Sequence, residues 1–319
     1  MTRIRTTTWS FGALPVLLML ASAVTAKQET DIPRLANGQP DLQGTWDFRT
    51  ITPLQRPTGL GDQATLSPEE AAEFEAAQVE LRNRDNFTDT SQTGDYNDFW
   101  YDRGSQLDGD VRTSLIISPE DGRIPALTEA AQARNATRRS LAVLNQGVEV
   151  RPLSERCIMG FNSGPPMIPS AYNNNVQLVQ TEDHLVIHNE MVHNARIVRM
   201  NDSAHRDGPR KWEGDSIGYW DGDTLIVETR NFAGATSFGN SSENMQLTEK
   251  FWRIDQDTIG YEFTVEDPTT WTEPWTAMFT MVATQEPIYE YACHEGNYSM
   301  AGIMAGWRTL EVQQELNEQ

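Results

Sequence analysis

The residues best suited to chemistry lie in one stretch, His184 to Ile197, "HLVIHNEMVHNARI", which holds His184, His188 and His193 with Glu190 among them. His184 and His188 are four apart, and on a helix that spacing turns two imidazoles toward one metal ion. Leu185, Val186 and Ile187 between them favour a strand. On a strand the two rings stand about 13 Å apart along one face, too far to share an ion. Acid–base chemistry asks for less. A carboxylate that accepts from one imidazole nitrogen fixes the tautomer and leaves the other nitrogen free to move a proton. Glu190 and His193 reach one face if the chain bulges at Met191-Val192, or face each other if it reverses there. Methionine and valine are poor residues for a tight turn, so the bulge is expected. The plainer alternative leaves His184 and His188 in solvent and pairs Glu190 with Arg196.

Other stretches bring candidate partners. Cys157 and Cys293 are the only cysteines, and in an oxidising compartment such a pair forms a disulfide. That bridge would set "CIMGFNSGPPMIPSAYNNN" beside "CHEGNYSM", gathering His294, Asn297 and Tyr298 near one loop. His294 is thereby a further acid–base candidate, with Asn297 and Tyr298 as substrate contacts; a purely structural lid is the alternative. "FWYDRG" and "RTSL" place Asp102, Arg103 and Arg112 next to Trp100 and other aromatics. An arginine in an aromatic-lined pocket binds a carboxylate bidentately, and Arg112, Asp102 and Trp100 are the substrate-binding candidates. The competing reading makes Asp102 and Arg112 a structural pair. "GDSIG" lacks the nucleophile-elbow spacing, and Ser216 opens a strand, which argues against a serine hydrolase. No phosphate loop, dinucleotide fingerprint or haem motif occurs, so no cofactor is expected, and no metal.

These groups must be positioned by strands and two helices. "SPEEAAEFEAAQVELRNRD" predicts a helix with Ser67 as N-cap, Pro68 at the first position and Glu70 closing a capping box. A second helix is expected from about Thr128 to Asn145, ended by Gly147. From Asn175 the apolar period becomes two. Strands are expected at Val176–Gln180, His184–Glu190 and Ala195–Met200, and a hairpin around Asp221-Gly222. Ile259, Tyr261, Phe263 and Val265 alternate after the turn "DQD", and "PWTAMFTMV" and "IYEYACHE" read as two more strands. Trp212, Trp220, Trp252, Trp271 and Trp275 sit in or beside strands as core or pocket wall. Such a series describes an antiparallel meander that closes into a β-barrel to remove its edges, with a β-sandwich as the alternative. The expected organisation is a leader at 1–26, a strand and helical segment at 27–150, and the barrel at 151–319.

The leader has Arg3 and Arg5, an apolar "LPVLLML" and "VTA" before Lys27, the pattern of a secretory signal cleaved near Ala26. A periplasmic or secreted protein without stable membrane insertion is the expectation. The net charge of −21 becomes −23 once Arg3 and Arg5 are removed. So acidic a surface repels phosphates, and nucleic-acid binding is not expected.

Several stretches together, "PDLQGTW", "YNDFWYDRG", "RTSLIISPEDGRIPALT", "GDSIGYWDGDTLIVETRNF", "VEDPTTWTEPWT" and "YACHEGNYSMAGIMAG", resemble a widespread family of exported, largely uncharacterised bacterial proteins. The resemblance implies export and a β-rich fold, and it carries no reaction. Gly44–Trp46 and Arg308 resemble the Gly-x-Trp and cross-packing arginine of lipocalin-like barrels. The function expected from the residues is a cofactor-independent lyase, hydratase or isomerase acting on a small, partly apolar molecule. Glu190 and His193 would transfer protons and His294 would assist. The alternatives are a periplasmic binding or carrier protein using the same pocket, and a cell-envelope interaction protein.

Overall fold

The computed structural model describes residues 32–86, 98–144, 147–148, 151–234 and 238–317. The expected export signal lies outside them. Ten strands form one sheet: β1 (Gly44–Asp47), β2 (Ile116–Ser118), β3 (Asn175–Gln180), β4 (His184–Asn189), β5 (Ala195–Met200), β6 (Asp215–Asp221), β7 (Thr224–Arg230), β8 (Gln246–Arg253), β9 (Thr258–Glu266) and β10 (Trp275–Thr284). The order is β1-β3-β4-β5-β6-β7-β8-β9-β10, and β1 also pairs with β10, so nine strands close into a barrel while β2 adds outside β10. Closure by β1 means the barrel draws on the segment before 150. There Trp46 pairs with Val176 on one side and Ala283 on the other.

Period-two alternation explains the interior. Ile259, Tyr261, Phe263 and Val265 are all buried, as are Ala277, Phe279 and Met281 across from them. Tyr261 and Phe279 approach to 5.0 Å between ring centroids, and Phe263 and Trp275 to 5.7 Å. Trp271 and Trp275 belong to this core, whereas Trp212 is exposed. The loop after Cys157 turns inward and buries Met167 in the same core; its backbone N–H donates to the Tyr261 hydroxyl at 3.2 Å.

Polar groups inside the wall are matched to one another. Arg196 on β5 meets Glu249 on β8, Nη2 to Oε1 at 2.8 Å, and the Tyr261 hydroxyl donates to the same oxygen at 2.7 Å. Burial disfavours the charge on Arg196, but Glu249 outweighs it and raises the arginine's pKa; burial and then Glu249 keep Tyr261 protonated. Arg196 therefore pairs with Glu249 and not with Glu190.

Three expectations about the barrel need correction. The expected antiparallel meander is broken at β5–β6, which pair in parallel. A parallel pair needs a crossover and not a tight turn, and the polar connection 201–214 supplies it. Asp215 anchors that crossover by accepting from Arg199 at 2.7 Å and from the Arg206 N–H at 3.0 Å. Burial alone would raise the Asp215 pKa, but Arg199, the Arg206 N–H and His205 together take it down to about 2. "IYEYACHE" is not a strand: after β10 the chain runs irregularly into a short helix, α3 (Cys293–Gly296), and then α4 (Tyr298–Asn317). The arginine stacked on Trp46 is Arg253, 4.7 Å from the ring, while Arg308 is exposed on α4.

The two expected helices are present. Helix α1 (Pro68–Arg82) has the full capping box of Ser67 and Glu70. Helix α2 (Glu129–Leu144) starts where the Thr128 hydroxyl accepts from the Ala131 N–H at 3.1 Å. The hairpin turn between β6 and β7 uses Gly222, with φ 59°, and Asp223, one residue beyond the expected pair. Among the described residues no helix is long and apolar enough to cross a membrane.

Candidate functional site

Cys157 and Cys293 are joined, with Cα atoms 5.6 Å apart across a sequence separation of 136. The bridge brings the loop before β3 against the segment that leads from β10 into α4. Between them lies a cleft of about 450 Å³, walled by Ser154, Glu155 and Cys157 on one side and by Glu290, Tyr291, Met300 and Ile303 on the other. Asn297 sits in this wall: its Nδ2 donates to the Glu155 carbonyl at 2.8 Å, and its Oδ1 accepts from the Met300 N–H at 3.3 Å, capping α4. Two of the residues grouped here by sequence stay outside. Tyr298 is 83% exposed, and His294 is exposed on α3.

Glu190 and His193 lie where β4 returns into β5. The expected bulge is a reversal: Asn189 donates to Asn194 at 2.7 Å, and a single helical turn at Met191–His193 makes the corner. Val192 (φ 58°) and His193 (φ 51°) are both left-handed, a conformation that disfavours a β-branched residue. Tertiary contacts override that preference. Met191 is buried against Gly160, where an added Cβ would meet its Cγ at 2.2 Å. The Asn194 carboxamide oxygen accepts from the Gly160 N–H at 2.9 Å and the Ser163 hydroxyl at 3.0 Å.

The reversal does bring Glu190 and His193 near one another, but each carries a different bond. Glu190 is buried. Its Oε2 accepts from Asn175 Nδ2 at 3.0 Å and its Oε1 from the Tyr289 N–H at 3.2 Å. His193 Nε2 accepts from the Tyr291 N–H at 3.3 Å. Alternate backbone amides of the segment after β10 thus dock on these two side chains, and no Glu190–imidazole hydrogen bond forms among the described residues. The neighbouring ring is His188, 6.3 Å from His193 between centroids. Burial and then His193 lower the His188 pKa.

No family model and no curated protein matches this chain.

The remaining sequence candidates occupy other places. Arg112 is buried and spends its guanidinium on Asp108 (2.9 Å), Asp110 (2.6 Å) and the Met278 carbonyl (3.0 Å). Asp102 is exposed and pairs with Arg49. The expected Asp102–Arg112 pair is replaced by these two separate ones, and neither residue lines the cleft at the disulfide. Trp100 is 62% exposed, edge-on to Phe99 at 5.4 Å. Among the described residues no group of three His, Cys, Asp or Glu side chains is spaced to hold a metal ion. What sequence reasoning missed is the role of residues 287–303: the alternation in "IYEYA" looks like a strand, and its amides are instead taken up by single side chains.

Proposed function

We propose that the chain is a small-molecule binding protein whose ligand lies outside the barrel, in the cleft beside Cys157–Cys293. The observation that carries this reading is the division of polar labour around the bridge. Glu190 and His193 already accept from backbone amides, whereas the cleft wall combines polar Ser154, Glu155, Glu290 and Ser299 with apolar Tyr291, Met300 and Ile303. Clefts with an apolar surface and a few fixed polar groups are the usual form of ligand sites. A covalent bridge across the walls lowers the ordering entropy that binding must overcome. Proton transfer by Glu190 and His193 is the weaker reading, because the His193 Nε2 lone pair accepts from the Tyr291 N–H and no hydrogen bond joins Glu190 to the imidazole among the described residues.

The ligand expected here is neutral or cationic and partly apolar, since Glu155 and Glu290 are the charged groups of the wall. Export to an oxidising compartment is part of the reading, as the bridge requires it. The test uses the neutral dye Nile red. Saturable fluorescence enhancement is expected with the native protein and with His193→Ala. Ile303→Asp should weaken it at least about tenfold; Ile303 lies on α4, which has no buried residue, so folding is spared. Binding untouched by Ile303→Asp, or abolished by His193→Ala in a folded protein, would overturn the assignment.

A further inference from the structure

A second cleft, of about 300 Å³, opens where the end of α1 meets residues 50–54 and 168–171. Two arginines line it, Arg82 from the last turn of α1 and Arg103 from the loop after Trp100. In this acidic chain other arginines are matched: Arg49, Arg112, Arg196 and Arg199 each face a carboxylate, and Arg56 and Arg138 donate to backbone carbonyls. Arg82 is half-buried, and its guanidinium has no hydrogen-bond or ion-pair partner among the described residues. A charge of the same sign, that of Arg103, acts on it. Burial, and then the charge of Arg103, hold its pKa below arginine's ordinary value.

Arg103 is fixed in place. Its Nη1 donates to the Arg82 carbonyl at 2.7 Å, its guanidinium stacks over the Tyr101 ring at 4.0 Å, and Asp98 comes no nearer than 3.9 Å. Its Nε and Nη2 make no bond among the described residues. The Ser170 hydroxyl on the opposite wall is buried and has no partner among the described residues, though both its backbone groups are held by the Asn174 carboxamide, at 2.8 and 3.1 Å. Leu54, Leu115 and Ile168 supply apolar parts of the lining.

Two like charges partly withdrawn from water, with only the Asp98 carboxylate at 3.9 Å from one of them, are unfavourable, and a buried hydroxyl without a partner among the described residues adds to that. An anion in the cleft relieves all three groups at once. Guanidinium forks suit a planar carboxylate, and the apolar wall suits a hydrocarbon body. We propose that this cleft is a binding site for a monocarboxylate carrying a small apolar group, with Arg82 and Arg103 holding the carboxylate and Ser170 donating to it. The site shares no lining residue with the disulfide cleft and does not depend on what binds there.

The test is isothermal titration of the full mature chain with benzoate, its neutral analogue benzamide, and inorganic phosphate. Benzoate is expected to bind one site, benzamide not at all, and phosphate at least about tenfold more weakly than benzoate because it leaves the apolar wall uncovered. Arg82→Gln should weaken benzoate about tenfold or more, while the melting temperature without ligand stays level or rises as like-charge repulsion is relieved. Ser170→Ala should weaken benzoate by a smaller factor. Three results overturn the proposal: no benzoate binding at about 10 mM, equal binding of benzoate and benzamide, or undiminished benzoate binding by a folded Arg82→Gln variant. Phosphate binding as tightly as benzoate would replace the carboxylate class by a general anion site.

Discussion

The two clefts on the outside of this barrel are built on opposite principles. At the disulfide, a covalent bond draws two distant segments together, and the polar side chains there are bonded to backbone: Glu190 to Tyr289, His193 to Tyr291, Asn297 to Glu155. Its charged lining residues are acidic. At the end of α1, no covalent link helps, the charged lining residues are arginines, and the Arg82 guanidinium has no partner among the described residues. Satisfied polar groups hold a shape, and unsatisfied ones ask for a ligand. In the stretch richest in histidine, Glu190 and His193 thus serve to fasten a segment, while the arginine pair is left open to an incoming charge.

Perturbations should separate the two regions. The largest effect belongs to the disulfide. Replacing both cysteines by alanine removes a constraint on a loop of 136 residues and should lower stability by roughly 4–5 kcal/mol, measured by denaturant titration. Nile red binding should go with it, and benzoate binding should persist wherever the variant is still folded. Next comes Glu190→Ala, which leaves Asn175 Nδ2 and the Tyr289 N–H without an acceptor and should destabilise by about 2 kcal/mol. Amide exchange at Tyr289 and Tyr291 should quicken in that variant and be unchanged at Ser170. Val192→Gly acts in the opposite direction. Relief of the left-handed valine should raise stability by about 1 kcal/mol, read from the shift in denaturation midpoint.

The pH response should differ as well. The folded pKa of His188 is below the ordinary value, through burial and then His193, so folding favours the neutral ring. Its contribution is present in full above about 6.5 and is lost as pH falls through that value toward the depressed one. Stability followed from pH 8 downward should show this loss, and His188→Asn should remove it. Benzoate binding at the arginines should stay level over the same range, since neither guanidinium nor carboxylate titrates there. The smallest effect is that of Arg82→Gln on stability, within about 0.5 kcal/mol of zero.

Legibility in the sequence followed the range of the interaction. Helix α1 was readable because its capping box is written in Ser67, Pro68 and Glu70, and β9 because Ile259, Tyr261, Phe263 and Val265 carry the period themselves. The cysteine pair was readable from its number, Cys157 and Cys293 being the two in the sequence, together with the expectation of export. The parallel β5–β6 pair was not, since a crossover leaves only a polar stretch as its trace. The reversal at Met191–His193 was hidden because its cause, Met191 lying on Gly160, is distant along the chain. Arg103 was recognisable as an arginine beside aromatics, but its companion Arg82 reads as an ordinary helix end. Only the folded chain brings Arg82, Arg103 and Ser170 around one space.

The central claim is that ligands are held outside a barrel whose interior is occupied by its own side chains. Backbone amide chemical shifts during titration with Nile red test it most directly. Shifts should be confined to 154–157 and 290–303, with the amides of Tyr261, Ala277 and Phe279 unmoved. Shifts concentrated at those inward-facing residues would contradict it.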